Sequence, residues 1–308
     1  MSIVVVGFLA YDTVETPNGR ADEVLGGAAS FFAVSACFFA PVSVVAVVGS
    51  DFKPEDYRIF TDRNVDLRGV VKREGRTTRW SGRYHADLIN RDTLELNLNV
   101  LEGFRPDLLP DQRRSDYIFL APNDPALHMH ILDQLSSPKI VSADLYDYWI
   151  ENTRPGLIRE LKRIQILLCN DHEARLLSGE HNLVKAARAI LKMGPSTVLV
   201  KRGEYGVLQF SRDTIFAVPA YPLEEVVDPT GAGDTFAGGF MGYVARSGKV
   251  TEAVLRSAVV YGSVMASFVV ESFSLDRLLA LSWDDVDQRQ RSFLELTDPN
   301  HPRWTSQS

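Results

Sequence analysis

From Asp116 onward, short apolar runs recur at intervals that one broad architecture accommodates. They are Tyr117 to Leu120, Lys139 to Ala143, Ile164 to Cys169 and Thr197 to Lys201, separated by helical patterns at 125–135, 155–163, 171–178 and 182–193. Strand–helix–strand alternation of this kind predicts a mainly parallel sheet covered by helices on both faces. Ile3 to Phe8, a β-branched run interrupted only by Gly7, fits a further central strand buried on both sides. Right-handed crossovers in such a sheet put ligands at the carboxyl ends of the strands. Polar residues follow those ends in turn: Asp12, Asn123, Asp144, Asn170 with Glu173, and Gly203 with Gly206. Each alone is an ordinary turn former, but their common placement predicts one shared cleft.

The remainder of the chain fits around that core. Val24 to Ser50 holds no charged residue over 27 positions, long enough for a membrane span, but Pro41 divides it. It reads instead as a small-residue buried helix, Gly27 to Ala40, followed by a buried strand, Val42 to Val48. Residues 13–25 are polar and turn-rich, and 54–64 suit a surface helix. Between Val65 and Leu101 the period becomes two, with Leu94, Leu96, Leu98 and Val100 alternating with Glu95, Asn97 and Asn99. Thr77 to Tyr84 is rich in strand formers, so the region predicts a small antiparallel flap. It carries Lys72, Arg73, Arg76, Arg79, Arg83 and Arg91 against Glu74, Asp87 and Asp92. That excess marks an anionic ligand, a charged dimer contact or a solvated sheet face; if a ligand is met, Arg79, Trp80 and Tyr84 are the residues expected to face it.

Composition excludes several classes. The net charge of -7 gives no basic field for nucleic acid or an anionic membrane. Cys37 and Cys169 lie in apolar runs and form neither a disulfide framework nor a metal-ligand spacing. Met-Ser-Ile-Val-Val-Val-Gly has no basic leader segment, so the expected location is the cytoplasm.

The chemistry concentrates at Val226 to Phe240, where Asp-Pro-Thr-Gly runs into a glycine-rich helical pattern. Gly231 and Gly233 let the backbone approach a ligand, and the N–H groups that open the next helix point outward at the positive end of its dipole. Asp234 stands there, either as a helix cap or as a base that takes a proton from a hydroxyl attacking a bound phosphate. The P-loop pattern does not occur, and the dinucleotide fingerprint fails because Phe236 stands where glycine or alanine is required.

Asp228-Pro229-Thr230-Gly231-Ala232-Gly233-Asp234-Thr235-Phe236 resembles the C-terminal signature of the ribokinase-like, or PfkB, carbohydrate kinases. Gly7 with Asp12, Gly26-Gly27 before an alanine-rich helix, Asn170-x-x-Glu173 and Gly203-x-x-Gly206 occur in the family's order. The resemblance implies a three-layer α/β/α domain with a small β lid. Residues 1–12, 24–68 and 102–300 would form the α/β domain, 13–23 and 69–101 the lid, and 301–308 a loose tail. It implies ATP and Mg²⁺ as cofactors. Asp234 would be the base, with Gly231, Ala232 and Gly233 as anion hole. Asn170, Lys201, Gly203, Gly206, Asp228 and Thr230 would serve the nucleotide, and Glu173 the metal, partly through water. Asp12, Gly26, Gly27, Phe31, Arg79 and Asn123 would lie on the acceptor side. A monovalent cation such as K⁺ would sit near Asp228 and the 269–274 loop.

Two departures matter. Phe31 stands near where many sugar kinases of the family have an acceptor-binding asparagine, and Tyr261 near an asparagine beside the adenine. The first leaves nucleosides and inositol-like acceptors open, unless Phe31 and Phe32 are core residues. The leading expectation is an ATP-dependent kinase acting on a hydroxyl of a small sugar, cyclitol or nucleoside, with a homodimer through the lid. A non-catalytic sugar or nucleotide sensor and a dinucleotide-dependent oxidoreductase are the competing classes.

Overall fold

The longest β-branched and apolar runs form the middle of a nine-stranded sheet. A computed structural model describes residues 2–298, so the expected loose tail at 301–308 lies outside the described residues. In chain order the strands are β1 (Ile3–Val6), β2 (Ala10–Thr16), β3 (Gly19–Gly26), β4 (Val42–Val48), β5 (Asp66–Lys72), β6 (Thr78–Tyr84) and β7 (Arg91–Asn97). Then follow β8 (Tyr117–Leu120), β9 (Ile140–Asp144), β10 (Ile166–Asn170), β11 (Thr197–Lys201), β12 (Val207–Ser211) and β13 (Ile215–Val218). The large sheet has the order β13-β12-β11-β10-β9-β8-β1-β4-β5. It is parallel from β11 through to β5, with β12 and β13 added antiparallel at one edge.

Alternation along each strand makes two cores. Ile3, Val5, Phe119, Leu168 and Leu199 face one layer, while Val4, Val6, Leu120, Leu167 and Val200 face the other. A strand buried on both sides needs apolar residues at every position, which is why these runs carry no alternation in polarity. The helices are α1 (Ala28–Ala36), α2 (Pro54–Thr61), α3 (Pro125–Leu132), α4 (Asp147–Asn152), α5 (Arg154–Leu161), α6 (Asp171–Ser178) and α7 (Leu183–Leu191). They are followed by α8 (Ala232–Ser247), α9 (Glu252–Val269), α10 (Asp276–Leu279) and α11 (Trp283–Thr297). The first layer includes α1, α8 and α9, the second α3, α5, α6 and α7.

α8 lies between α1 and α9 at short range. A Cβ at Gly238 would stand 2.4 Å from the Phe32 carbonyl, and one at Gly239 would stand 3.0 Å from the Tyr261 carbonyl. Ser35 Oγ also donates to the Thr235 carbonyl at 2.7 Å. α9 is long and apolar enough to cross a membrane by composition, yet ten of its residues, from Leu255 to Val269, are buried against the rest of the chain.

A second sheet, of order β3-β2-β6-β7, stands beside the large one. Residues 13–23, assigned to the lid from the sequence, lie in the β2–β3 hairpin of this sheet. The sheet's extent differs from the sequence expectation at one place. Residues 69–72 belong to β5 in the large sheet, since Val70 and Val71 pair with Ala46 and Val47 of β4.

Candidate active site

The chain passes from the large sheet to α8 through Asp228-Pro229-Thr230-Gly231. Asp228 Oδ1 accepts from the Thr230 N–H at 2.8 Å, which tightens the turn. Gly231 caps α8 in the left-handed region, with φ 76°. A Cβ there would stand 2.5 Å from the Phe31 ring, so both backbone and space require glycine. This fixes the role of Phe31. At 2% exposure it is a packing residue beneath the turn, and its expected contact with an acceptor is replaced by contact with Gly231.

Of the three expected anion-hole donors, Ala232 N–H is engaged within the turn, bonded to the Pro229 carbonyl at 3.2 Å. Among the described residues no acceptor takes the N–H of Gly231 or Gly233. Those donors sit at the positive end of a 16-residue helix, which suits a phosphoryl group.

Asp234, one residue further, is partly reachable from the cleft but crowded by protein on most sides. Desolvation and then the charge of Asp144 raise its pKa to about 7, against the opposing pull of Lys201 and Arg91. Lys201, at the end of β11, forms an ion pair with Asp144 at the end of β9. Its amine would stand 3.0 Å from a Cβ on Gly233, so it lies directly over the opening of α8. Burial works against the Lys201 ammonium, but Asp144, Glu173 and Asp234 outweigh it and keep its pKa above the ordinary value.

Asn170 and Glu173 form a capping box at the start of α6. Glu173 N–H donates to Asn170 Oδ1 at 2.8 Å, and Asn170 N–H donates to Glu173 Oε2 at 2.7 Å. Glu173 is 5% exposed, and burial followed by Asp144 raises its pKa to about 8. Among the described residues no group of three or more His, Cys, Asp or Glu is arranged to ligate a metal. Glu173 with nearby Asp144 nevertheless suits Mg²⁺, which keeps several waters and takes one or two carboxylates plus substrate phosphates.

On the other side of the cleft, Asp12 lies on β2 and is 5% exposed. Gly27 N–H donates to its Oδ2 at 3.4 Å, and a Cβ at Gly26 would collide with that carboxylate at 1.9 Å. Burial is the main cause that raises the Asp12 pKa to about 7; Asp228 and Asp234 add to it. Asn123 Oδ1 accepts from the Asp124 N–H at 2.8 Å, while its buried Nδ2 has no protein partner. Asp228 Oδ2 is likewise buried and unpartnered.

Two expected residues are placed elsewhere. Arg79 pairs with Tyr11 across β6 and β2, whereas Asp12 pairs with Trp80. Strand alternation therefore sends Arg79 to the face opposite Asp12. There its Nη2 meets Asp51 at 3.1 Å and Glu23 at 3.3 Å, over the Tyr11 ring. Gly206 is buried with φ 77°, and a Cβ there would stand 2.1 Å from the Val218 carbonyl, so it serves the β12–β13 hairpin. Gly203 instead faces open space. Tyr261 stacks on Tyr243 with ring centroids 4.6 Å apart.

Asp144 and Arg91 were in view in the sequence, one at a strand end and one in the basic excess, but neither had an assigned role. The signal for Asp144 is its apolar strand: a carboxylate closing β9 at 3% side-chain exposure needs a partner, and Lys201 supplies it.

A carboxylate of raised pKa, two unpaired N–H donors and a half-buried lysine meet at the strand ends, an arrangement that suits a phosphoryl group. The chain belongs to the pfkB family of carbohydrate kinases, whose family model matches residues 119–279. A cytidine kinase of Thermococcus kodakarensis is 32% identical over 261 residues, spanning 82% of this chain and 92% of that protein. Among solved structures, the nucleoside kinase of Methanocaldococcus jannaschii superposes with TM-score 0.76 at 21% identity, covering 94% of this chain and 98% of that one. An E. coli protein described as ribokinase II, solved in complex with ATP and Mg²⁺, gives TM-score 0.77 at 18% identity, covering 94% and 99%. The chain is a carbohydrate or nucleoside kinase with the ribokinase fold.

Proposed function

We propose that this kinase transfers the γ-phosphate of ATP to a hydroxyl of a nucleoside, with Asp234 as the base. The observation that carries the reading is the junction at Gly231: a carboxylate of raised pKa beside unpaired N–H donors and the Lys201 amine. Asp12 and Asn123 bind the acceptor's hydroxyls, the first as acceptor of hydrogen bonds and the second through its unpartnered amide. Asp234 accepts the proton of the hydroxyl it orients. Gly231 and Gly233 N–H groups and Lys201 take the charge that develops on the transferring group, the main contribution a protein makes to phosphoryl transfer.

Glu173 and Asp144 would hold Mg²⁺, with Asn170 fixing Glu173 in place, and the bound ion would supply positive charge for the nucleotide's phosphates. Gly203 and Thr230 border the nucleotide. Asp228, with its buried unpartnered oxygen, suits a monovalent cation such as K⁺. The small sheet acts as a lid. Its outer strand β7 is exposed throughout, and Ile89, Leu94 and Leu96 are apolar and 57%, 53% and 46% exposed, which fits a homodimer contact. Expected partners remain small molecules, not nucleic acid or membrane, and the expected location is the cytoplasm. The nucleoside acceptor rests on the similarity to the cytidine kinase, which is 32% identical over 82% of this chain. A sensor without activity would not need an intact base and donor pair, and both are present.

ADP release with Mg²⁺ and ATP, screened across nucleosides, pentoses, hexoses and cyclitols, tests this. Acceptor-dependent release with nucleosides supports it. Release confined to free sugars or cyclitols refutes the acceptor, and none at all refutes the activity.

A further inference from the structure

One face of the small sheet is laid out toward the cleft by strand register. Asp12 pairs with Trp80 and Val14 with Gly82 across β2 and β6, while Gly82 pairs with Thr93 and Tyr84 with Arg91 across β6 and β7. Alternation therefore brings Trp80, Gly82, Tyr84 and Arg91 to the face that carries Asp12. Tyr84 ties this face to the anion-hole turn, because its hydroxyl oxygen accepts from Thr230 Oγ1 at 3.3 Å. The same oxygen accepts from Arg91 Nη1 at 3.4 Å. The guanidinium stands 5.6 Å from the Trp80 ring centroid. Trp80 lies flat because Gly82 has no side chain: a Cβ there would stand 2.2 Å from the indole.

Arg91 forms no ion pair among the described residues, whereas the other arginines of the small sheet, Arg20, Arg79 and Arg83, all do. Four of its five N–H donors have no protein acceptor. The charges around it are acidic, since Asp147 acts on Arg91 and Arg91 acts in turn on Asp12 and Asp234. An anionic acceptor would meet those carboxylates; a neutral planar group meets an aromatic wall and a fork of donors.

We infer that Arg91 and Trp80 select nucleosides whose base presents two adjacent hydrogen-bond acceptors, as cytosine does through O2 and N3 and guanine through O6 and N7. This deepens the nucleoside-kinase reading and rests on it. The guanidinium fork matches such an edge bidentately, while uracil and adenine each replace one acceptor with a donor. Trp80 supplies the flat surface beside the base.

The test measures kcat and KM of the full chain and of Arg91→Gln with cytidine, guanosine, uridine, adenosine, ribose and ribose 5-phosphate. In the variant, kcat/KM for cytidine and guanosine is expected to fall roughly tenfold or more, mainly through KM, and the preference over uridine and adenosine to collapse. Arg91→Lys restores only part, because an ammonium cannot span two acceptors. Trp80→Ala raises KM for all nucleosides together. Three results overturn the inference: an unchanged cytidine-to-uridine ratio, an equal fall in kcat for every acceptor, which would put Arg91 on the phosphoryl group, or a selective loss with ribose 5-phosphate, which would make the site anionic. Calorimetric binding of cytidine without ATP separates the two readings. Arg91-dependent binding without any turnover keeps the inference and ends the kinase reading; nucleoside turnover indifferent to Arg91 does the reverse.

Discussion

Replacing Lys201 with methionine probes the electrostatic centre of the site. Its amine pairs with Asp144, whose side chain is 3% exposed, and counters Glu173 and Asp234. Methionine keeps the length and apolar stem but leaves these carboxylates without their nearest cation. Removing one partner of a buried pair costs about 3–5 kcal/mol. Lys201 retains 18% side-chain exposure, so solvent screens part of this and about 3 kcal/mol at pH 8.5 is expected. The sign with pH follows from the raised carboxyls. Glu173 and Asp234 have folded-state pKa values of about 8 and 7, above their unfolded values, so the folded protein holds more protons than the unfolded one between those limits. Their penalty is fully present above pH 8 and relaxes as pH falls toward 5. In the variant both groups titrate higher still, so protonation relieves it sooner, and the stability gap from wild type should shrink to on the order of 1–2 kcal/mol at pH 6. Urea unfolding of both proteins without nucleotide, at pH 8.5 and 6, measures the gap. A gap that is equal or larger at pH 6, or absent at both, refutes the charge balance described here.

Asp234→Asn should fold, still bind ATP, and turn over at least about 100-fold slower; near-wild-type kcat would remove the base assignment. In the wild type, kcat/KM should rise with pH through the region near 7 as Asp234 ionises, and this limb should vanish in the slow residual activity of that variant. Gly231→Ala should lose about 1–2 kcal/mol from the left-handed backbone alone. The Phe31 contact at 2.5 Å adds to this, so Gly231→Ala should cost less when made in a Phe31→Ala background than in the wild type, each compared with its own parent in thermal unfolding. Gly233→Ala meets only the flexible end of Lys201 at 3.0 Å, so stability should change little while kcat falls as the amine is displaced.

The sequence announced the large sheet well because burial on both faces leaves no freedom: Tyr117–Leu120 and Thr197–Lys201 form strands at the expected bounds. The β2–β3 hairpin carries a weaker local signal: β3 is polar and mostly exposed, and β2 buries Asp12 and Thr16 beside Tyr11 and Val14, so neither strand shows an apolar run. Arg79 was misassigned because composition ignores strand phase, which only register can set. Arg91 was hidden in the same way. Its link to the anion-hole turn runs through Tyr84 and Thr230, residues 146 apart in the chain, and no local pattern reports such a contact.

The Asn170-x-x-Glu173 pair shows why a structural and a chemical reading of one motif need not compete. As a capping box it satisfies two backbone donors at the start of α6, which any helix emerging from β10 would need. That bond uses Glu173 Oε2 and holds the carboxylate at the strand ends, beside Asp144 and Lys201. Its other oxygen remains for a hydrated cation. The cap thus accounts for the geometry, and the burial that raises Glu173 to about 8 is the part a cap does not require. An exposed cap would suffice for the helix. If this buried carboxylate serves the Mg²⁺ proposed above, Mg²⁺ with nucleotide should stabilise the wild type more at pH 8.5 than at pH 6 in thermal unfolding. Equal stabilisation at both would leave Glu173 as a cap alone.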